Sequence, residues 1–244
     1  MRLTIVIPVY REHRRLVESL QKVTAFVRSV LDTAVDVVFV DDGSPDNCAG
    51  IIRTYLDGCG MPQMKLLGYA KNQGKGYAVR TGVEAAGGDL ILMSDADLST
   101  PLAEWVKLKA AIDAGADIAC GSRAVRGAHI GTPPPLCRRI LSRVFNRLVR
   151  LAGVHGIRDT QCGFKLFRAA PAKEIFARLR TRRFAFDVEM IALARDLGYR
   201  VDEVPVSWDY SGHSTVRLFS SGGRMLWDVV NLAVRRMVFG AFKR

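Results

Sequence analysis

The fold class predicted by this sequence is α/β, with a mostly parallel central sheet flanked by helices and an amphipathic helix near the C-terminus. Three observations carry that expectation. Apolar runs of strand length alternate with stretches of helical periodicity. At 244 residues and 49% hydrophobic, the chain can build one substantial core. Four of its first five apolar runs end abruptly in chemically loaded segments, as expected where ligands bind at the carboxyl edge of a parallel sheet.

The elements follow in order. A strand is expected over residues 3–9, delivering Pro8-Val9-Tyr10-Arg11-Glu12 to the edge, then a helix over 12–31. A second strand, 35–40, ends in Asp41-Asp42-Gly43-Ser44 and is followed by a helix over 47–56. The third strand, 64–69, leads through Asn72-Gln73-Gly74-Lys75-Gly76 into a helix over 75–86. The fourth, 90–93, ends in Ser94-Asp95-Ala96-Asp97 and precedes a helix over 101–114. The fifth, 118–121, reaches Gly121-Ser122-Arg123. Residues 127–135, with three consecutive prolines, form an irregular connection. Next come an amphipathic helix over 136–152, a strand over 162–167, helices over 169–179 and 186–197, and a strand over 201–208. A second amphipathic stretch spans 223–239. It falls short of the roughly 18 uninterrupted apolar residues of a spanning helix.

The net charge of +12 is concentrated in two places. Residues 118–158 hold eight arginines and no acid, and residues 210–244 hold six basic side chains against Asp228 alone; the remainder is close to neutral. In the first helix Arg139, Arg143, Arg147 and Arg150 line one stripe, with Ile140, Leu141, Val144, Phe145 and Leu148 opposite. An ordinary surface helix looks the same, but two such helices together point to an anionic membrane surface. The five cysteines are scattered and odd in number, so free thiols are expected. The N-terminus runs straight into a strand without signal-peptide character, so the chain is expected in the cytoplasm, peripherally attached to the cytoplasmic face of the membrane.

Two-residue spacing in extended chain puts the Asp95 and Asp97 carboxylates on one side. Hard oxygen ligands beside a diphosphate describe a Mg2+ or Mn2+ site, and hence metal-assisted chemistry on a nucleotide diphosphate. The other motifs admit bland readings too. Asp41-Asp42-Gly43-Ser44 alone is a turn, Arg123 alone is a surface residue, and Asp187 with Glu189 alone favours a helix N-terminus. Asn72 to Gly76 is a helix entry suited to phosphate but lacks the P-loop pattern.

Together these segments resemble the family 2 glycosyltransferases of GT-A fold, over almost the full length, and within them the polyprenyl-phosphate group. Val6-Ile7-Pro8-Val9-Tyr10-Arg11-Glu12, Val40-Asp41-Asp42-Gly43-Ser44, Asp95-Ala96-Asp97 and Gly121-Ser122-Arg123 are similar to the nucleotide-sugar side of dolichyl-phosphate mannose synthases. Gly156 through Phe167 and Arg183 through Glu189 most resemble dolichyl-phosphate β-glucosyltransferases. The resemblance implies that Pro8, Tyr10, Glu12, Val40, Asp42, Asp95, Ala96 and Asp97 hold the nucleotide-sugar. It gives Asp97, Asp95 and Ser99 the metal, Arg123, Arg138 and Ser142 the acceptor phosphate, and Asp97, Asp187 and Arg123 catalytic duties. Residues 1–123 would be the nucleotide-sugar half and 124–210 the acceptor half of one domain, with 211–244 a basic amphipathic segment. One departure stands out: the lysine that many relatives carry near the C-terminus is Thr215 here, which leaves Arg217 as the candidate to take its place.

The expected activity is inverting transfer of a hexose onto a polyprenyl monophosphate, with UDP-glucose as the favoured donor and GDP-mannose as the alternative. A family 2 enzyme with a hydroxyl acceptor is a further option. A nucleotidyltransferase is disfavoured by the missing glycine-rich basic N-terminal loop. A basic RNA-binding protein is disfavoured by the lack of an aromatic-rich recognition motif, so no nucleic acid partner is expected.

Overall fold

The computed structural model describes residues 1–133, 135–136, 145–147, 149–150, 156–210, 227–228 and 230–231. Arg138, Ser142, Thr215 and Arg217 lie outside the described residues, as do most of the two predicted amphipathic stretches.

Nine strands and six α-helices are described: β1 (Arg2–Val9), α1 (Leu16–Ser29), β2 (Ala34–Asp41), α2 (Cys48–Cys59), β3 (Met64–Gly68), α3 (Lys75–Ala85), β4 (Leu90–Met93), α4 (Trp105–Asp113), β5 (Ile118–Ser122), β6 (His129–Ile130), β7 (Lys165–Arg168), α5 (Ala169–Arg178), α6 (Phe186–Asp196), β8 (Val201–Pro205) and β9 (Ser207–Trp208). Seven strands form one sheet in the order β3-β2-β1-β4-β7-β5-β8, and β6 pairs with β9 separately. The β1–β2, β1–β4, β2–β3 and β5–β8 pairs are parallel, whereas β7 runs antiparallel between β4 and β5. The chain thus returns after β5 to thread β7 between two strands that precede it in sequence.

Where the elements differ from expectation, the cause is local. The first helix starts at Leu16, because the Glu12 carbonyl takes the Arg15 and Leu16 N–H groups in a turn that holds Glu12 at the sheet edge. The strand expected over 201–208 breaks after Pro205: Val206 N–H reaches Ser122, and Ser207–Trp208 leaves to pair with β6 inside the segment read as irregular. The expected strand 162–167 begins only at Lys165.

Two apolar layers sandwich the sheet. One face packs on α1, α2 and α4 through Ile5, Ile7, Val37, Phe39 and Leu92, and the other, through Val6, Ile91 and Phe167, on α3, α5 and α6, which contribute Phe176 and Phe186. Phe167 meets Phe176 edge-on at 5.8 Å between centroids, a geometry worth about 0.5–1.5 kcal/mol beyond area burial. Val149 is buried in the second layer and Phe145 packs against it, so the basic stretch places part of its apolar face on the protein. Trp227 and Val230 are exposed. Among the described residues, no helix is long and apolar enough to cross a membrane.

Candidate active site

Parallel register brings the loops after β1, β2 and β4 to one edge, since Val9 lies beside Asp41 and Val6 beside Met93. Three residues in these loops, Arg11 (φ 58°), Asn47 (φ 59°) and Leu98 (φ 48°), adopt the left-handed region without being glycine. Such backbone costs roughly 1–3 kcal/mol per residue and collects at functional sites. At Leu98 the turn brings the Ser99 N–H to 3.0 Å from Asp97 Oδ1.

Asp42, expected among the residues that hold the nucleotide-sugar, is buried and its oxygens are filled from within the protein. Tyr69 Oη donates at 2.8 Å, Asn72 Nδ2 at 2.7 Å, and the Gln73 and Gly74 N–H groups at 2.7 and 3.0 Å. Burial raises its pKa despite these donors. The carboxylate fixes the entry to α3, where Gly74 takes φ 105°. Neighbouring Asp41 accepts from Ser44 N–H through Oδ2, while its buried Oδ1 has no hydrogen-bond partner. Val40, also assigned to the nucleotide, is buried with Val38 and Ala78, so its side chain belongs to the core. Pro8 sits in β1 beside Val40, and Tyr10 lies under the Arg11 guanidinium at 5.3 Å.

The acidic pair is ringed by cations. Lys75 Nζ lies 2.6 Å from Asp95 Oδ1, and Arg15 Nη1 lies 4.0 Å from Asp97 Oδ2. Arg15 is gripped by Glu12 through Nε and, at 2.8 Å, through Nη2. Burial raises the Glu12 pKa against the opposing pull of Arg15. For Lys75, burial works against the charge, but Asp95 and Asp187 outweigh it and hold the ammonium above its ordinary range. Ala96, between the aspartates, is buried. Gly163 packs against Asp95 so closely that a Cβ there would lie 2.0 Å from Asp95 Oδ2.

Asp187 and Arg123 are each held by a partner that sequence reasoning did not name. Lys165 Nζ, fully buried, lies 2.5 Å from Asp187 Oδ1 and 2.5 Å from the Cys162 carbonyl. Burial pushes the Asp187 carboxyl up against the pull of Lys165 and Lys75, whereas Lys165 is held high because Asp187 outweighs burial. The two shifts favour opposite states of the shared proton; the short contact and the second lysine make the ion pair the charge state of this cluster. Arg123 forms a two-pronged bridge to Asp159, at 2.7 and 2.8 Å, and stacks on Trp208 at 5.2 Å. Burial would raise the Asp159 pKa, but Arg123 overrides it and holds the carboxyl below its ordinary range. Lys165 was detectable as the one cation in an apolar strand run; Asp159 gave no comparable signal.

The donor set at Asp95 and Asp97 fits a small divalent cation. Both carboxylates reach solvent partly, and Ser99 Oγ beside them is buried with no hydrogen-bond partner. Among the described residues no three His, Cys, Asp or Glu side chains form a ready-made cage. Mg2+ and Mn2+ are commonly held by one or two carboxylates with substrate phosphates and water completing the shell.

The architecture recurs in solved structures. Mannosyl-3-phosphoglycerate synthase from Rubrobacter xylanophilus superposes with a TM-score of 0.69 at 17% identity, covering 98% of this chain and 75% of that one. Glucosyl-3-phosphoglycerate synthase from Mycobacterium tuberculosis, in complex with Mn2+, UDP-glucose and glycerol 3-phosphate, gives 0.67 at 17% identity over 96% of this chain and 79% of that one. The fold is GT-A, the class of the nucleotide-diphospho-sugar transferases. The family model described as glycosyl transferase family 2 matches residues 4–176, and the chain belongs to that family of glycosyltransferases. It is 37% identical over 241 residues to a dolichyl-phosphate β-glucosyltransferase of Trichomonas vaginalis, covering 95% of this chain and 70% of the relative. The enzyme of that name from Homo sapiens is 33% identical, with 99% and 77% covered.

Proposed function

We propose that the protein transfers glucose from UDP-glucose to the phosphate of a polyprenyl monophosphate, with inversion, at the cytoplasmic surface of an anionic membrane. Similarity over nearly the whole chain to enzymes named dolichyl-phosphate β-glucosyltransferases carries this reading. The site supports it chemically. A phosphate monoester has a second pKa of about 6 and arrives already ionised, so the attacking oxygen needs no base. Asp187, paired with Lys165 and almost fully buried, then serves as a positioning group. Arg123 has two guanidinium nitrogens on Asp159, which orients it at the end of β5. Arg138 and Ser142 are proposed beside it as acceptor-phosphate ligands.

Asp97, Asp95 and Ser99 would hold Mg2+ or Mn2+, which supplies charge stabilisation to the departing diphosphate. Tyr10, Glu12 and the α3 entry would hold the nucleoside. The Asp42 carboxylate acts there through the Asn72–Gly74 loop that it fixes.

The test supplies polyprenyl phosphate in anionic vesicles with radiolabelled UDP-glucose and, separately, GDP-mannose. Labelled, acid-labile lipid from UDP-glucose is expected. Label from GDP-mannose alone would overturn the donor assignment, and an acid-stable product would overturn the phosphate acceptor.

A further inference from the structure

We infer that Lys75 is a built-in counter-ion that competes with the divalent cation for Asp95 and passes to the donor diphosphate once that cation is bound. The inference rests on the metal assignment above and adds a residue to it. Three observations meet at this lysine. It is the first residue of α3, placed there by the loop that Asp42 clamps. Its ammonium lies 2.6 Å from Asp95 Oδ1 and 5.9 Å from the centre of the Phe186 ring. Asp187, a further acidic neighbour, is already engaged by Lys165 at 2.5 Å, and the 2.6 Å contact makes Asp95 the close partner of Lys75.

A cation entering at Asp95 and Asp97 must displace that ammonium or share the carboxylate with it. Two cations on one carboxylate repel each other, so without nucleotide Lys75 disfavours the metal. A diphosphate reverses the balance. It brings negative charge and oxygen ligands, and a lysine released at a helix N-terminus is placed to meet phosphate oxygens. Metal and donor then bind as a pair, and the enzyme carries little metal when no donor is present.

The experiment measures Mn2+ binding to the full chain by electron paramagnetic resonance, and UDP binding by calorimetry at saturating Mn2+. Lys75→Gln and Lys75→Met should bind Mn2+ alone about fivefold or more tightly than the parent and bind UDP about tenfold more weakly. Lys75→Arg, which keeps the charge, should match the parent for Mn2+. A lysine that merely supported the fold would weaken both ligands together, so the opposite signs are diagnostic. Mn2+ affinity in Lys75→Gln equal to or below that of the parent overturns the inference. If Asp97→Asn then still abolishes Mn2+ uptake with UDP present, the metal assignment stands alone. If the parent takes up no Mn2+ even with UDP, both fail.

Discussion

Replacing Lys165 with methionine tests the internal brace of the site. Methionine keeps most of the volume but removes the ammonium that lies 2.5 Å from Asp187 and from the Cys162 carbonyl, in a place where neither charged side chain is more than 3% exposed. Removing one partner of a buried pair costs about 3–5 kcal/mol, because the other charge stays behind without its direct partner. Against a total stability of about 5–15 kcal/mol that is a large loss, and at this size it corresponds to roughly 6–20 °C in melting temperature. Asp187 has an escape: it can take up a proton. Burial already raises its pKa in the folded protein, and a group raised above its unfolded value contributes stability that is lost as pH rises through the folded pKa. The variant's deficit should therefore shrink as pH falls toward the carboxylate range. Urea unfolding from pH 7 downward measures this, and Lys165→Met with Asp187→Asn should recover much of the loss. A single-variant cost below about 1 kcal/mol, or a double-variant cost equal to the sum of the singles, refutes the brace.

Three further outcomes are expected. Asp187→Asn should lower kcat yet keep a rate that rises through about pH 6 with ionisation of the acceptor phosphate; loss of that limb in a pH–rate profile would restore Asp187 as the base. Gly163→Ala should push Asp95 aside, because the new Cβ would lie 2.0 Å from its Oδ2, so calorimetry should show UDP–Mn2+ affinity falling about tenfold or more. Asp159→Asn should flatten the acid limb of stability in chemical denaturation. The Asp159 pKa is depressed by Arg123, so its contribution is present above the ordinary carboxylate pKa and disappears as pH falls through the folded value.

The alternation of strands and helices and the loaded strand ends were legible in the sequence, because burial on both faces and ligand binding at one edge leave local signatures. The placement of β7 was not. An antiparallel strand between β4 and β5 depends on pairing across some 70 residues, and Lys165-Leu166-Phe167 looks the same in either direction. At the site, Asp95 and Asp97 stood out because charge interrupts an apolar run. Their counter-ions did not: Arg15 lies on the turn into α1 and Lys75 opens α3, and only packing carries them to the carboxylates. Asp42 shows the converse limit. Its type and place suit a nucleoside, yet the donors from Tyr69, Asn72, Gln73 and Gly74 engage both of its oxygens.

The most direct test of the account compares the initial rate of glucose transfer to polyprenyl phosphate by the parent and by Asp97→Asn at saturating Mn2+ and UDP-glucose, with melting temperatures measured alongside. The account predicts a loss of about a hundred- to a thousandfold with the fold intact, the scale of removing one stabilising group for developing charge. An Asp97→Asn enzyme that transfers glucose at the parent's rate would contradict it.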